Sequence, residues 1–180
     1  TDEGKVPLTL AQCTNCKLVQ LRHTIDRDKL YRTYWYLSSL NPSMVESLRD
    51  IVRSVERRIR LQLGDTVIDI GANDGTLLTL YKEKVNKIGF DPARNLATQA
   101  LQACDVFIND YFETSEVEVP KAKVITSIAM FYALDEPRRF IERVVDVLDR
   151  EGLWVMQMTD LVRMLQANAF DNICHEHLCY

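Results

Sequence analysis

Two periods organise the apolar positions of this chain. Short runs rich in β-branched residues recur at Val67-Ile68-Asp69-Ile70, Ile88-Gly89-Phe90, Val106-Phe107-Ile108, Val124-Ile125-Thr126-Ser127-Ile128 and Leu153-Trp154-Val155-Met156. Each has the length of a strand and the continuity expected of burial on both faces. They predict strands near 66–70, 86–91, 105–108, 123–128 and 153–158. Helical spacing fills the intervals: Met44, Val45, Leu48, Ile51, Val52, Val55 and Ile59 form one stripe behind an Asn41-Pro42-Ser43 cap, with Gly64 as the expected stop. Further helices are expected from Thr76, over Ala93–Ala103, from Glu136 to Asp149 with Asp135 as cap and Gly152 as stop, and over Thr159–Ala169. Alternating strands and helices predict an α/β fold: a Rossmann-like, doubly wound parallel sheet with helices on both faces.

The first strand of that series runs into Gly71-Ala72-Asn73-Asp74-Gly75-Thr76. Glycines bracketing a turn permit positive φ and close approach of backbone to a ligand, and the helix that follows offers free N–H groups. A carboxylate accepting ribose hydroxyls belongs about 20 residues on, at the end of the next strand, where Asp91 stands. A dinucleotide site wants small residues next to a pyrophosphate. Asn73 and Asp74 stand there instead, and a carboxylate suits the cationic amino-acid end of S-adenosylmethionine better than NAD. A plain glycine turn remains the alternative. Asp110 and Tyr111 close the 105–108 strand at the edge where an adenine would lie, and Met130 follows the 123–128 strand at the same edge.

The chain has 180 residues, 47% of them hydrophobic and 27% charged, as for one soluble domain with a small appendage. Residues 1–40 read as that appendage and 41–180 as the cofactor-binding core. No apolar run approaches the ~20 residues of a membrane span, so the cytoplasm is the default compartment. A net charge of −4, with no basic cluster beyond Arg57-Arg58-Ile59-Arg60, argues against nucleic acid as a partner.

Five cysteines include Cys13-Thr14-Asn15-Cys16. A C-x-x-C turn can point two thiolates at one zinc, which takes four ligands, so these two are half of a knuckle, with His23 a weak third candidate. The tyrosine-rich stretch Tyr31, Tyr34, Trp35, Tyr36 suits either a core or the wall of a pocket. The densest chemistry lies in Phe170-Asp171-Asn172-Ile173-Cys174-His175-Glu176-His177-Leu178-Cys179-Tyr180. A neutral imidazole there is a ready general base near pH 7. A metal site from Cys174, His175, His177 and Cys179, or a purely structural histidine pair, are the competing readings.

These motifs resemble those of the sugar C-methyltransferase family across nearly the whole chain, through Pro7-Leu8, Cys13-x-x-Cys16, Tyr34-x-Tyr36, Ile70–Leu78 and the terminal His-Glu-His segment. The resemblance implies a class I methyltransferase sheet preceded by a partial zinc knuckle. It implies S-adenosylmethionine as cofactor, structural zinc where further ligands exist, and a keto-deoxy nucleotide-sugar as substrate, methylated on carbon. His177 is then the base that takes the proton beside the ketone, with Glu176 and His175 positioning base and substrate. Gly71, Asn73, Asp74, Gly75, Asp91, Asp110, Tyr111 and Met130 would contact the cofactor. The family tyrosine before His-Glu-His is Cys174 here. The resemblance also marks the chain as a truncated fragment, lacking an upstream cysteine pair and a C-terminal region.

Overall fold

The computed structural model describes residues 5–82, 84–170 and 172–180; Asp171 of the terminal motif lies outside them. A small hairpin, β1 (Leu10–Gln12) and β2 (Val19–Leu21), precedes a short helix α1 (Arg27–Tyr31), and residues 32–41 then cross the molecule to α2 (Pro42–Arg58). The core alternates β3 (Thr66–Ile70), α3 (Thr76–Thr79), β4 (Asn86–Phe90), α4 (Ala97–Ala103), β5 (Val106–Ile108), β6 (Ala122–Ile128), α5 (Pro137–Val147), β7 (Leu148–Gln157) and α6 (Leu161–Gln166). Five strands form one parallel sheet in the order β5-β4-β3-β6-β7, with β3 central. The predicted strand set and doubly wound order are therefore present.

The two-residue period of β3 and β6 divides the core. Val67 and Val124 face α2 and α3, where Leu48, Val52, Val55, Leu77 and Leu78 pack. Ile68, Ile70 and Ile125 face α5, meeting Phe140 and Val144 beside Phe90 and Phe112. Helices thus cover both faces. The Asn41 side chain accepts from the Ser43 and Met44 N–H groups and starts α2 as expected.

Several boundaries differ from the sequence expectation. Helix α2 stops at Arg58, because Ile59 is extended and Gly64 sits in a later turn at φ +87°. Helix α3 is a single turn: Thr79 Oγ1 donates to the Thr76 carbonyl, a local bond that competes with helix continuation. Asp135 does not cap α5; it faces Arg27 at 3.8 Å, and Glu136 precedes the helix without a side-chain cap. Gly152 does not end that helix either. Strand β7 begins at Leu148 opposite Ala122, and the register then slips so that Val124 meets Leu153.

Gly75 takes φ +79°, and a Cβ there would stand 2.4 Å from Ala103 Cβ on α4. Gly64 also has positive φ but open space around it. A left-handed backbone costs an L-residue about 1–2 kcal/mol, and overpacking about 1–3 kcal/mol more. Gly64→Ala is therefore expected to lose about 1 kcal/mol in chemical denaturation and Gly75→Ala clearly more. Equal losses would remove the packing argument.

Candidate active site

A cavity of about 240 Å³ lies over the carboxyl ends of β3, β4 and β6. Gly71, Asn73, Asp91, Asp110, Tyr111 and Met130 line it, whereas Asp74 and Gly75 do not. Asp91 is buried and its two oxygens accept from the backbone N–H groups of Asn73 and Ala93, at 2.7 and 2.8 Å. Each carboxylate oxygen keeps a second lone-pair site for a ligand hydroxyl. Gly71, at φ +75°, brings the loop against Met130, whose Cγ would lie 3.2 Å from an added Cβ.

The side chains of Asn73 and Asp74 bond to backbone on either side of the loop. Asn73 Oδ1 accepts from Ser38 N–H and its Nδ2 donates to the Tyr36 carbonyl, both at 2.9 Å. Asp74 accepts from Ser39 N–H and from the N–H and hydroxyl of Thr76. Burial opposes ionisation of Asp74, but these bonds outweigh it and its pKa is lowered. Both side chains therefore pin residues 36–39 as a strap over the cavity, and Asp74 also accepts the first N–H of α3, that of Thr76.

The strap carries tyrosines to the chain's far end. Tyr31 and Tyr34 donate to the Glu176 carbonyl and Oε2, at 2.6 and 3.0 Å. Glu176 and His177 line the cavity opposite the glycine loop. Leu178 N–H donates to the Tyr132 carbonyl, while Leu21 N–H reaches the Leu178 carbonyl and Tyr180 N–H the Val19 carbonyl, each at 2.9 Å. The β1–β2 hairpin thus clamps this irregular segment. His175 belongs to the clamp: its Nε2 lies 3.1 Å from the Val6 carbonyl, outside the cavity lining. The His177 ring packs against Tyr132 at 4.0 Å between centroids, tilted by 50°, and its Nδ1 is buried without a hydrogen-bond partner among the described residues. Burial lowers the His177 pKa, so the neutral ring dominates near pH 7.

Tyr111 is held between guanidinium groups, with Arg27 at 3.8 Å and Arg32 at 4.7 Å from its ring centroid. Arg27 pairs with Glu113, and Asp110 faces Arg32 at 3.5 Å. Asp69 is the residue that the sequence reading passed over. It is buried in β3, lines the cavity floor and accepts a 2.6 Å bond from Thr126 Oγ1. Burial pushes its pKa up to about 7. An acidic residue inside an otherwise apolar β-run was the available signal, because a carboxyl group is seldom buried in a strand without a task.

Among the described residues no three His, Cys, Asp or Glu side chains converge on one point. The alternative metal site at residues 174–179 is therefore not formed, and Cys13 with Cys16 supplies two of the four ligands a structural zinc takes. Backbone N–H bonds from residues 15–17 and the Cys16 thiol lower the Cys13 pKa. This pair alone does not make up a zinc site. Among the described residues no helix is long and apolar enough to cross a membrane.

The sequence model of a family described as methyltransferase domain matches residues 44–180. A C-methyltransferase of Streptomyces niveus, NovU, is 33% identical over 99% of this chain, which spans 44% of that relative's length. Among solved structures, the plantazolicin methyltransferase BpumL in complex with SAH and a pentazolic desmethylPZN analog superimposes at a TM-score of 0.60, with 14% identity, over 76% of this chain and 55% of that one. An S-adenosylmethionine-dependent methyltransferase from Clostridium acetobutylicum does so at 0.58, with 13% identity, over 68% and 54%. These likenesses show the class I methyltransferase fold.

The state of Asp69 makes stability depend on pH. Its folded pKa of about 7 lies above the ordinary carboxylate value of 3.8, so between those values the folded chain holds a proton that the unfolded chain has released. Stability falls as pH rises through that window. Asp69→Asn keeps an acceptor for Thr126 and removes the titration. The stability difference between pH 5 and pH 8 should shrink on the order of 1–3 kcal/mol relative to the parent. Denaturation curves showing the same difference in both proteins would rule out a buried, proton-holding Asp69.

Proposed function

The chain belongs to the methyltransferase-domain family, and from that premise we propose that the protein methylates the carbon beside the carbonyl of a keto-deoxy nucleotide-sugar, with His177 as the base, in the cytoplasm. The observation that carries this reading is that one cavity is lined both by the glycine loop with Asp91 and by Glu176 with His177. The matched relative that bears the description C-methyltransferase supports carbon as the acceptor.

The residues present fit S-adenosylmethionine. Asp91 retains lone pairs for the ribose hydroxyls, and Gly71 leaves room beside Met130. Tyr36, on the cavity wall, has a buried hydroxyl with no partner among the described residues, available to a polar group of the ligand. Asp91, its carboxylate held by two backbone N–H groups, lines the same cavity and suits a cation. When bound, the cofactor supplies a methyl carbon already activated by the sulfonium, which needs only in-line placement.

The carbon acceptor needs activation instead. A carbon beside a ketone becomes a nucleophile once its proton is removed, and a neutral imidazole does this. Burial holds His177 neutral against the pull of the neighbouring Glu176 carboxylate, and the Tyr132 ring packs against the imidazole at a 50° tilt. Tyr34 holds the Glu176 carboxylate beside it, where it orients a sugar hydroxyl or the base. His175 keeps the segment attached to the chain before β1.

With the full-length protein and a 4-keto nucleotide-sugar, His177→Ala should slow both methylation and exchange of the substrate α-hydrogen into deuterated water, by about 10²- to 10⁴-fold. Affinity for S-adenosylhomocysteine should barely change. Because the His177 pKa lies below its usual value of 6.5, the parent exchange rate should rise with pH along an acid limb below that value and level off above it. Exchange at the parent rate in the mutant would show that His177 is not the base. Methylation of oxygen or nitrogen by the parent would replace this reading with a heteroatom methyltransferase.

A further inference from the structure

Taking the α-proton leaves negative charge on the carbonyl oxygen, and that oxygen needs a hydrogen-bond donor already in place. Five tyrosines line the cavity. Three are engaged, since Tyr31 and Tyr34 donate to Glu176 and Tyr111 donates to Asp28. Tyr36 sits at the cofactor end, where its carbonyl holds Asn73 Nδ2. The fifth, Tyr132, stands against the base itself.

We propose that the Tyr132 hydroxyl is the donor that stabilises the substrate's carbonyl oxygen as it gains charge, in the neighbourhood that Cys174 leaves without a phenol. This deepens the reading of His177 as a carbon-acid base and rests on it. Tyr132 lies in the turn Phe131–Ala133 that follows the carboxyl end of β6, so the sheet places it at the cavity wall. Its ring packs against His177, and its carbonyl accepts from Leu178 and Cys179 N–H at 2.9 and 3.3 Å. Main chain and side chain together fix base and phenol relative to each other. The Tyr132 hydroxyl makes no hydrogen bond among the described residues, and Cys174 and Glu176 are near enough to bear on its ionisation. Burial pushes its pKa up to about 12, so it keeps its proton wherever His177 is neutral.

The step balances within the substrate and two side chains. The α C–H bond breaks and its proton passes to the His177 imidazole. The electron pair enters the carbon–carbon bond, and the carbonyl π pair moves onto oxygen, which accepts the Tyr132 O–H without taking the proton. A donor worth keeping at such a position contributes about 10²- to 10³-fold.

Tyr132→Phe retains the ring and its packing while removing the hydroxyl. In the full-length protein, with a nucleoside-diphosphate 4-keto-6-deoxyhexose as probe, it should slow α-hydrogen exchange by about 10²-fold. S-adenosylhomocysteine affinity by calorimetry, and the pH of the acid limb of exchange, should stay at the parent values. Exchange at the parent rate in Tyr132→Phe overturns the donor role and leaves His177 standing. Slow exchange together with lost S-adenosylhomocysteine affinity assigns Tyr132 to the fold and also overturns it. A parent that methylates without exchanging the α-hydrogen overturns the carbon-acid reading and this role together.

Discussion

Asn73 and Asp74 satisfy backbone groups that would otherwise be stranded over a cavity, and the arrangement of the site depends on that. Residues 36–39 lie outside the sheet and enter a single 3₁₀ turn at Ser38–Leu40, whose first N–H groups have no partner within the turn. The two side chains accept the N–H groups of Ser38 and Ser39, and Asn73 also donates to the Tyr36 carbonyl. With the strap held there, Tyr31 and Tyr34 reach Glu176. The glycine loop after β3 therefore shapes both ends of the cavity: it forms one wall directly and orients the other through the segment 31–39.

A second constraint runs through the terminal segment. Residues 172–180 form an irregular stretch with one isolated bridge, Gln20 to Cys179, and its backbone is satisfied by the β1–β2 hairpin and by Tyr132. This gives the hairpin a mechanical role independent of any metal at Cys13 and Cys16. It also separates the two histidines of the motif, since His175 is turned to the Val6 carbonyl while His177 is turned to the cavity.

The sheet was legible because buried parallel strands leave continuous apolar runs, and Val67 to Ile70 is one of them. The ends of elements were less legible, because Thr79 and Ile59 stop helices through local bonding and extended backbone rather than through a Gly or Pro. The cofactor loop was half legible. Gly71 and Asp91 line the cavity, whereas spacing gave no sign that the Asp74 carboxylate accepts from Ser39 and Thr76. The strap could not be derived from pattern, since tyrosines at 31, 34 and 36 follow no period that names a partner more than 140 residues away. Asp69 was visible as a carboxyl inside an apolar run but counted as one position of a strand, and its burial on the cavity floor is what the pattern could not give.

The clamp around His177 also sets an order of assembly. Tyr31 meets Glu176 across 145 residues, and His175 meets Val6 across 169. Closing such loops is entropically more demanding than forming the neighbouring βαβ units, which join strands through local crossovers. During synthesis the strap can meet Asn73 and Asp74 early, but its tyrosines and the hairpin lack their terminal partners until the segment around residue 176 leaves the ribosome. The sheet can already be paired by then. The five strands can thus pair before the surroundings of His177 exist, and a nascent chain with those strands joined still has an open, unformed base.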